Sequence, residues 1–300
     1  MPIHQPGHEF NVMNSTPTFS GFLFRRSQLR LCLNSHYATG ITMPIASHPL
    51  SFQHWFKHHL LLPLSVGLGL LILLHITNAD LLLAQWMLAF EGTNTGWPWR
   101  HAFVTDKLLH TGGRDLVVLA AVVLLSTLVL SSFKASMKRW RRPLLMLFTS
   151  ALSTVLLVRI GKSMTNVACP WDLSLFGGQQ PYLPFPISLS VDTKLGQCFP
   201  GGHSSGAFAW VGLYYLALVL KPKWRFKLLG AVLLIGAVFS LCQEFRGAHF
   251  LSHDIASALI GWTMATLSYG LAYRPWRAAG YAGVPAQAQT LTQTQTEVTR

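Results

Sequence analysis

Hydrophobic and polar positions in this chain alternate on the scale of whole segments. Runs at 60–77, 116–133, 143–160, 207–220, 228–242 and 250–273 are nearly continuous Leu, Val, Ile, Ala, Phe and Gly. With their flanks, each approaches the ~20 helical residues needed to cross ~30 Å of hydrocarbon. The pattern predicts an all-α, polytopic membrane bundle of six transmembrane helices. A shorter run at 80–90 precedes Trp97-Pro98-Trp99 and predicts an interfacial helix between the first two spans, anchored by Trp97 and Trp99. Prolines at 2, 6, 17, 44 and 49 interrupt any periodicity in residues 1–51, which are expected to form an irregular cytoplasmic segment, with Met43 as an alternative translation start. Residues 52–276 form the membrane domain. The Gln/Thr-rich residues of 277–300 predict a disordered cytoplasmic tail.

Composition agrees: 51% hydrophobic and 11% charged residues exclude an ordinary soluble domain. The net charge of +13 does not point to nucleic acid, because the bases lie between apolar runs and do not form a patch on a domain. Lys134, Lys138, Arg139, Arg141 and Arg142 follow the second run, Lys221, Lys223, Arg225 and Lys227 the fourth, and Arg274 and Arg277 the sixth. Six spans with these bases on the cytoplasmic side place both termini there. The loops 77–115, 161–203 and 243–250 then face outward, and the expected location is a bacterial inner membrane with a periplasmic site.

Those loops hold the unusual chemistry. Pro200-Gly201-Gly202-His203 stands directly before an apolar run, where helix N–H groups lack partners and glycine lets an anion approach. A plain turn capped by Ser204 or Ser205 fits the same residues. Lys162 ends the third run, while Arg246, His249, His253 and Asp254 join the fifth to the sixth, so all meet at one membrane face. Cations there can neutralise a phosphate, and histidines can serve as nucleophile and acid. Each residue has another reading: Lys162 as a snorkelling helix end, Arg246 as an ion pair with Glu244, and Asp254 as a charge on a helix dipole. His249 and His253 also have the i, i+4 spacing of helical metal ligands. His110 and Arg114 fit interfacial anchors or head-group contacts.

In these motifs the chain resembles the type 2 phosphatidic acid phosphatase superfamily, which also includes bacterial haloperoxidases. Lys162 with Pro170 matches its first motif, Pro200-Gly201-Gly202-His203 its second, and Arg246 with His253 its third, over roughly residues 110–265. Cys169 stands where the family has arginine, Gly201 and Phe245 replace serines, six residues instead of five separate Arg246 from His253, and Ser257 holds the place of the aspartate, with Asp254 adjacent to His253. The resemblance implies hydrolysis of a lipid phosphate or diphosphate through a phosphohistidine. It makes His253 the nucleophile with His249 as substitute, His203 the general acid, and Asp254 or Ser257 the orienting group. Lys162, Arg246 and the N–H groups of Gly201 and Gly202 would hold phosphate. No metal or other cofactor is implied. The implied partners are a lipid phosphate substrate and membrane lipids; oligomeric state is left open. Lipid-to-lipid phosphotransfer and non-catalytic binding or transport of an anionic lipid are the alternatives. Cys169 and Cys198 share an outward loop, where an oxidising compartment permits a disulfide tying the Lys162 segment to the His203 turn. Cys242 and Cys32 are expected as free thiols.

Overall fold

A computed structural model describes residues 51–277, and they contain no strand. The expectations for residues 1–50 and 278–300, including Met43, Cys32 and the tail, lie outside the described residues. Six helices are long and apolar enough to cross a membrane: α1 (Phe52–Ile76), α3 (Phe103–Phe133), α4 (Ala135–Met164), α5 (Gly202–Leu220), α6 (Pro222–Phe245) and α7 (Leu251–Tyr273). The chain is a multi-pass membrane protein. Between α1 and α3 lies α2 (Ala79–Phe90), whose twelve residues span about 18 Å and are too short to cross.

Helix α5 is the inner helix, with 56% of its apolar window buried, against 11% for α1 and for α3. Leu62, Val66 and Ile72 on α1 and Leu116 and Val122 on α3 are accordingly exposed, as lipid-facing side chains should be. One apolar core joins Trp55, Met146, Leu147, Tyr214, Tyr215 and Tyr269 within the bundle. A second joins Met87 and Leu88 of α2 to Leu173 and Phe176 of the loop between α4 and α5, together with Trp97 and Phe250. This second core lies at the end of the bundle that carries the polar motifs.

Several helices run beyond their apolar stretches. Helix α3 begins at Phe103, and its first ten residues, Phe103–Gly112, wind in wide π-type turns. Asp106, Lys107 and His110 make this segment too polar for a hydropathy pattern, yet protein partners for Asp106 and His110 keep it helical. Trp97 also departs from expectation. It is buried in the second core, its ring covers Gly247, and it packs edge-on to Phe176 at 5.7 Å, so it is a core residue and not an interfacial anchor.

Candidate active site

Four helix ends build the site. Lys162 occupies the last turn of α4, and its Nζ lies 3.4 Å from the Cys198 carbonyl and 3.3 Å from that of Pro200. It therefore rests on the Pro-Gly-Gly-His turn: a Cβ added at Gly202 would stand 3.5 Å from Nζ. Cys169 and Cys198 form a disulfide with Cα atoms 5.2 Å apart. Hydrogen bonds tie the same two segments, from Thr165 Oγ1 to the Phe199 carbonyl (2.5 Å) and from the Cys198 N–H to the Val167 carbonyl (2.9 Å).

Helix α6 ends in a glycine cap. The Gly247 N–H reaches the Glu244 carbonyl at 2.9 Å and the Ala248 N–H reaches that of Gln243 at 2.8 Å, with Gly247 at φ 68°. This is the Schellman arrangement, which a residue with a Cβ would strain. Here a Cβ would also strike the Trp97 ring. The cap turns the chain so that His249 precedes α7, with Phe250 extended at its N-cap. The i, i+4 helical register expected for His249 and His253 therefore does not arise, since only His253 lies on the helix. Among the described residues no three His, Cys, Asp or Glu side chains are grouped as metal ligands.

His249 meets Asp254 instead. Its Nδ1 lies 2.9 Å from Asp254 Oδ1, and both side chains are buried. A carboxylate only accepts, so Nδ1 donates, which in the neutral ring leaves the lone pair on Nε2. Ser204 Oγ donates to the same Oδ1 at 2.5 Å. Gly201 lies against this pair: a Cβ there would stand 2.9 Å from His249 Nδ1, 2.7 Å from Ser204 Oγ, and on Asp254 Oδ1. The Gly201 N–H donates to the His253 carbonyl at 2.9 Å, so it is not the free phosphate donor expected of it. Gly201 makes room for the His–Asp pair, and Gly202 opens α5. Ser257 Oγ binds the Gly201 carbonyl at 2.7 Å and does not orient a histidine ring.

His203, in the first turn of α5, stacks on Phe239 at 4.6 Å and lies 4.8 Å from the His110 ring, with its Nε2 enclosed and without a partner. Electrostatically it is within reach of His249 and Arg246. A cavity of about 280 Å³ opens beside it, walled by His110, Arg114, Val117 and Phe239. His253 faces elsewhere. It is 3% exposed, packs edge-on against Phe199 and Phe250 at 5.4 Å each, and lines a larger apolar cavity of about 390 Å³ with Leu68, Ile72, Phe185 and Phe199.

Arg246 is not paired with Glu244. Its Nη2 lies 2.7 Å from Asp106 Oδ1, Nη1 3.1 Å from Gln243 Oε1, and Nε 3.0 Å from the Arg100 carbonyl. Asp106, Gln243 and Ser204 are site residues that sequence reasoning missed. Asp106 and His110 do carry a legible signal, an acid and a histidine four residues apart; Ser204 reads equally well as a helix cap. Asp80 of α2 accepts the Ser252 N–H at 3.0 Å, closing the start of α7, and burial raises its carboxyl above the usual range despite that bond. Burial likewise pushes the nearby Tyr182 hydroxyl up to about 12.

Residues 142–277 match the family model described as PAP2 superfamily, a stretch that holds Lys162, the Pro-Gly-Gly-His turn, Arg246, His249 and Asp254. No curated protein and no solved structure matches the chain. Through the 142–277 match, with its motif residues gathered at one end of the helical bundle, this stretch of the chain is similar to the type 2 phosphatidic acid phosphatase superfamily.

Proposed function

We propose that this chain hydrolyses the phosphate of a lipid phosphate or diphosphate, with His249 as nucleophile. Similarity to the superfamily over residues 142–277 supports phosphoric-ester hydrolysis in general. The observation that carries the finer reading is the buried His249–Asp254 pair at 2.9 Å, set between the His203 turn and Arg246. With Nδ1 donating to Asp254, Nε2 attacks phosphorus while the bond to the leaving oxygen breaks, and His203 gives that oxygen a proton. Water then attacks the phosphohistidine, returns a proton to His203, and releases inorganic phosphate. Lys162, Arg246 and the free N–H groups at the start of α5 balance the charge on the phosphoryl oxygens. Asp106 holds Arg246 ready for the phosphate. Asp254 stabilises the positive charge that His249 acquires.

The apolar cavity beside His253 supports a substrate with a hydrocarbon tail, because a soluble ester would gain nothing from Leu68, Ile72 and Phe185. The partition of bases away from the site and the disulfide both support an outward-facing site in an oxidising compartment. The test is phosphate release by the purified full chain in detergent from phosphatidate, phosphatidylglycerophosphate, an isoprenyl diphosphate and lipid A, with a soluble monoester for comparison. Release from a lipid, lowered at least about a hundredfold in His203→Ala, is expected. Cleavage of the soluble ester alone would refute the lipid assignment. Binding without release would favour an anionic-lipid binder, and release that requires an acceptor alcohol would favour phosphotransfer.

A further inference from the structure

The floor of the site holds a carboxyl group that the chemistry above leaves without a task. Glu244, in the last turn of α6, is 3% exposed, and both of its oxygens are enclosed without a donor. Asp254 is its charged neighbour, and Asp254 Oδ2 is likewise enclosed and without a donor. Asp254 Oδ1 is already taken by Ser204 and His249. Two ionised carboxylates buried as neighbours would repel each other with little water to screen them. The neighbouring cations are engaged elsewhere: Arg246 with Asp106, and Lys162 with the Cys198 and Pro200 carbonyls. One proton resolves the conflict, because a protonated Glu244 donates to Asp254 Oδ2 and both orphaned groups gain a partner.

We propose that Glu244 is a positioning residue, a neutral carboxylic acid whose O–H donates to Asp254 Oδ2 and fixes the carboxylate that orients His249. It rests on the reading of His249 as nucleophile. Three donors then hold Asp254: the Ser204 hydroxyl, His249 Nδ1–H and the Glu244 acid. Glu244 touches neither phosphate nor water in turnover and keeps its proton throughout. In the same last turn of α6, Gln243 Oε1 accepts from Arg246 Nη1 at 3.1 Å, so the residue beside Glu244 serves the arginine.

The experiment compares Glu244→Gln with Glu244→Leu in the purified full chain, using para-nitrophenyl phosphate and phosphatidate in detergent micelles. Glutamine keeps the shape and donates an N–H to Oδ2, whereas leucine fills the space and donates nothing. Glu244→Gln is expected to keep kcat within about threefold of the parent, and Glu244→Leu to lose roughly ten- to a hundredfold in kcat with little change in KM. Equal loss in both variants would show that a charged carboxylate is needed and would overturn the proposal. Full activity in both would overturn it as well. Infrared spectroscopy gives a readout that needs no substrate: the parent should show a protonated-carboxyl C=O band that Glu244→Gln lacks. An unchanged band region would refute the proton assignment. If the band is lost in Glu244→Gln while the parent cleaves no phosphate ester, the proton assignment is supported and the phosphatase reading fails.

Discussion

At one end of the bundle Lys134, Lys138, Arg139, Lys221, Lys223, Lys227 and Arg274 stand exposed in short connections, with no acidic residue among them. At the other end Asp80, Glu244, Arg246, His249, His253 and Asp254 are buried; the start of α7 meets Asp80, Asp106 meets Arg246, and His249 and Asp254 meet each other. Both ends are rich in ionisable side chains, yet the physics differs. Water and lipid head groups solvate the first set, which costs little and fixes only which way the chain faces the membrane. Even where that end orders its bases the role is structural: Arg141 donates to the Ser132 carbonyl at the end of α3, and Arg142 to that of Ala272 in α7. The second set is withdrawn from solvent, where an unpaired charge is expensive and a paired one is held in place. Chemistry belongs to the end where side chains are fixed by their neighbours.

The sharpest way to break this comparison is at the two histidines of the buried end. His249→Ala should lower turnover at least about a thousandfold, whereas His253→Ala, which removes a ring packed between Phe199 and Phe250, should cost about tenfold or less. Steady-state rates of the two purified variants decide it, and the reverse order would return the nucleophile to His253. Next in size is the disulfide. Closing a loop of 29 residues is worth about 3.5 kcal/mol in the chain-entropy model, so Cys169→Ser with Cys198→Ser should lower the melting temperature by several degrees. Turnover should fall less than tenfold, because the Thr165 and Cys198 hydrogen bonds still join the Lys162 segment to the His203 turn.

The exposed end should behave oppositely. Lys221→Gln with Lys223→Gln and Lys227→Gln should leave kcat within about twofold of the parent, since all three are exposed. An impermeant thiol reagent should label Gln179→Cys in intact cells, and labelling only after lysis would reverse the orientation. The smallest effect concerns Asp80. Its folded-state pKa is raised by burial, so the folded chain holds the proton longer, and stability falls as pH rises from the ordinary carboxylate range through the raised value. Asp80→Asn keeps an acceptor for the Ser252 N–H and should flatten that decline, with a small gain in melting temperature at neutral pH and none in acid.

The six spans were legible because a continuous apolar run has few other uses, and Lys162, Pro200-Gly201-Gly202-His203 and Arg246 were legible from their spacing. The polar ends of α1 and α3 were not, since His59 and Asp106 stay helical by meeting Trp262 and Arg246, contacts hydropathy does not record. The pairing of Asp254 with His249 was hidden for a similar reason. Counting residues from Arg246 favours His253, but the left-handed Gly247 and the extended Phe250 lift His249 off the helix and onto Asp254. Trp97 beside Pro98 reads as a membrane anchor until the backbone of Gly247 is found beneath its ring.

The central claim is that the ring held by Asp254, and not its neighbour on α7, takes the phosphoryl group. The direct measurement is to quench the enzyme with ³²P-labelled substrate during turnover and map the labelled residue by fragmenting the peptide that spans 247–274. The account predicts an acid-labile, base-stable phosphohistidine at His249, absent from His249→Ala and still formed in His253→Ala. Label at His253, or its persistence in His249→Ala, would contradict it.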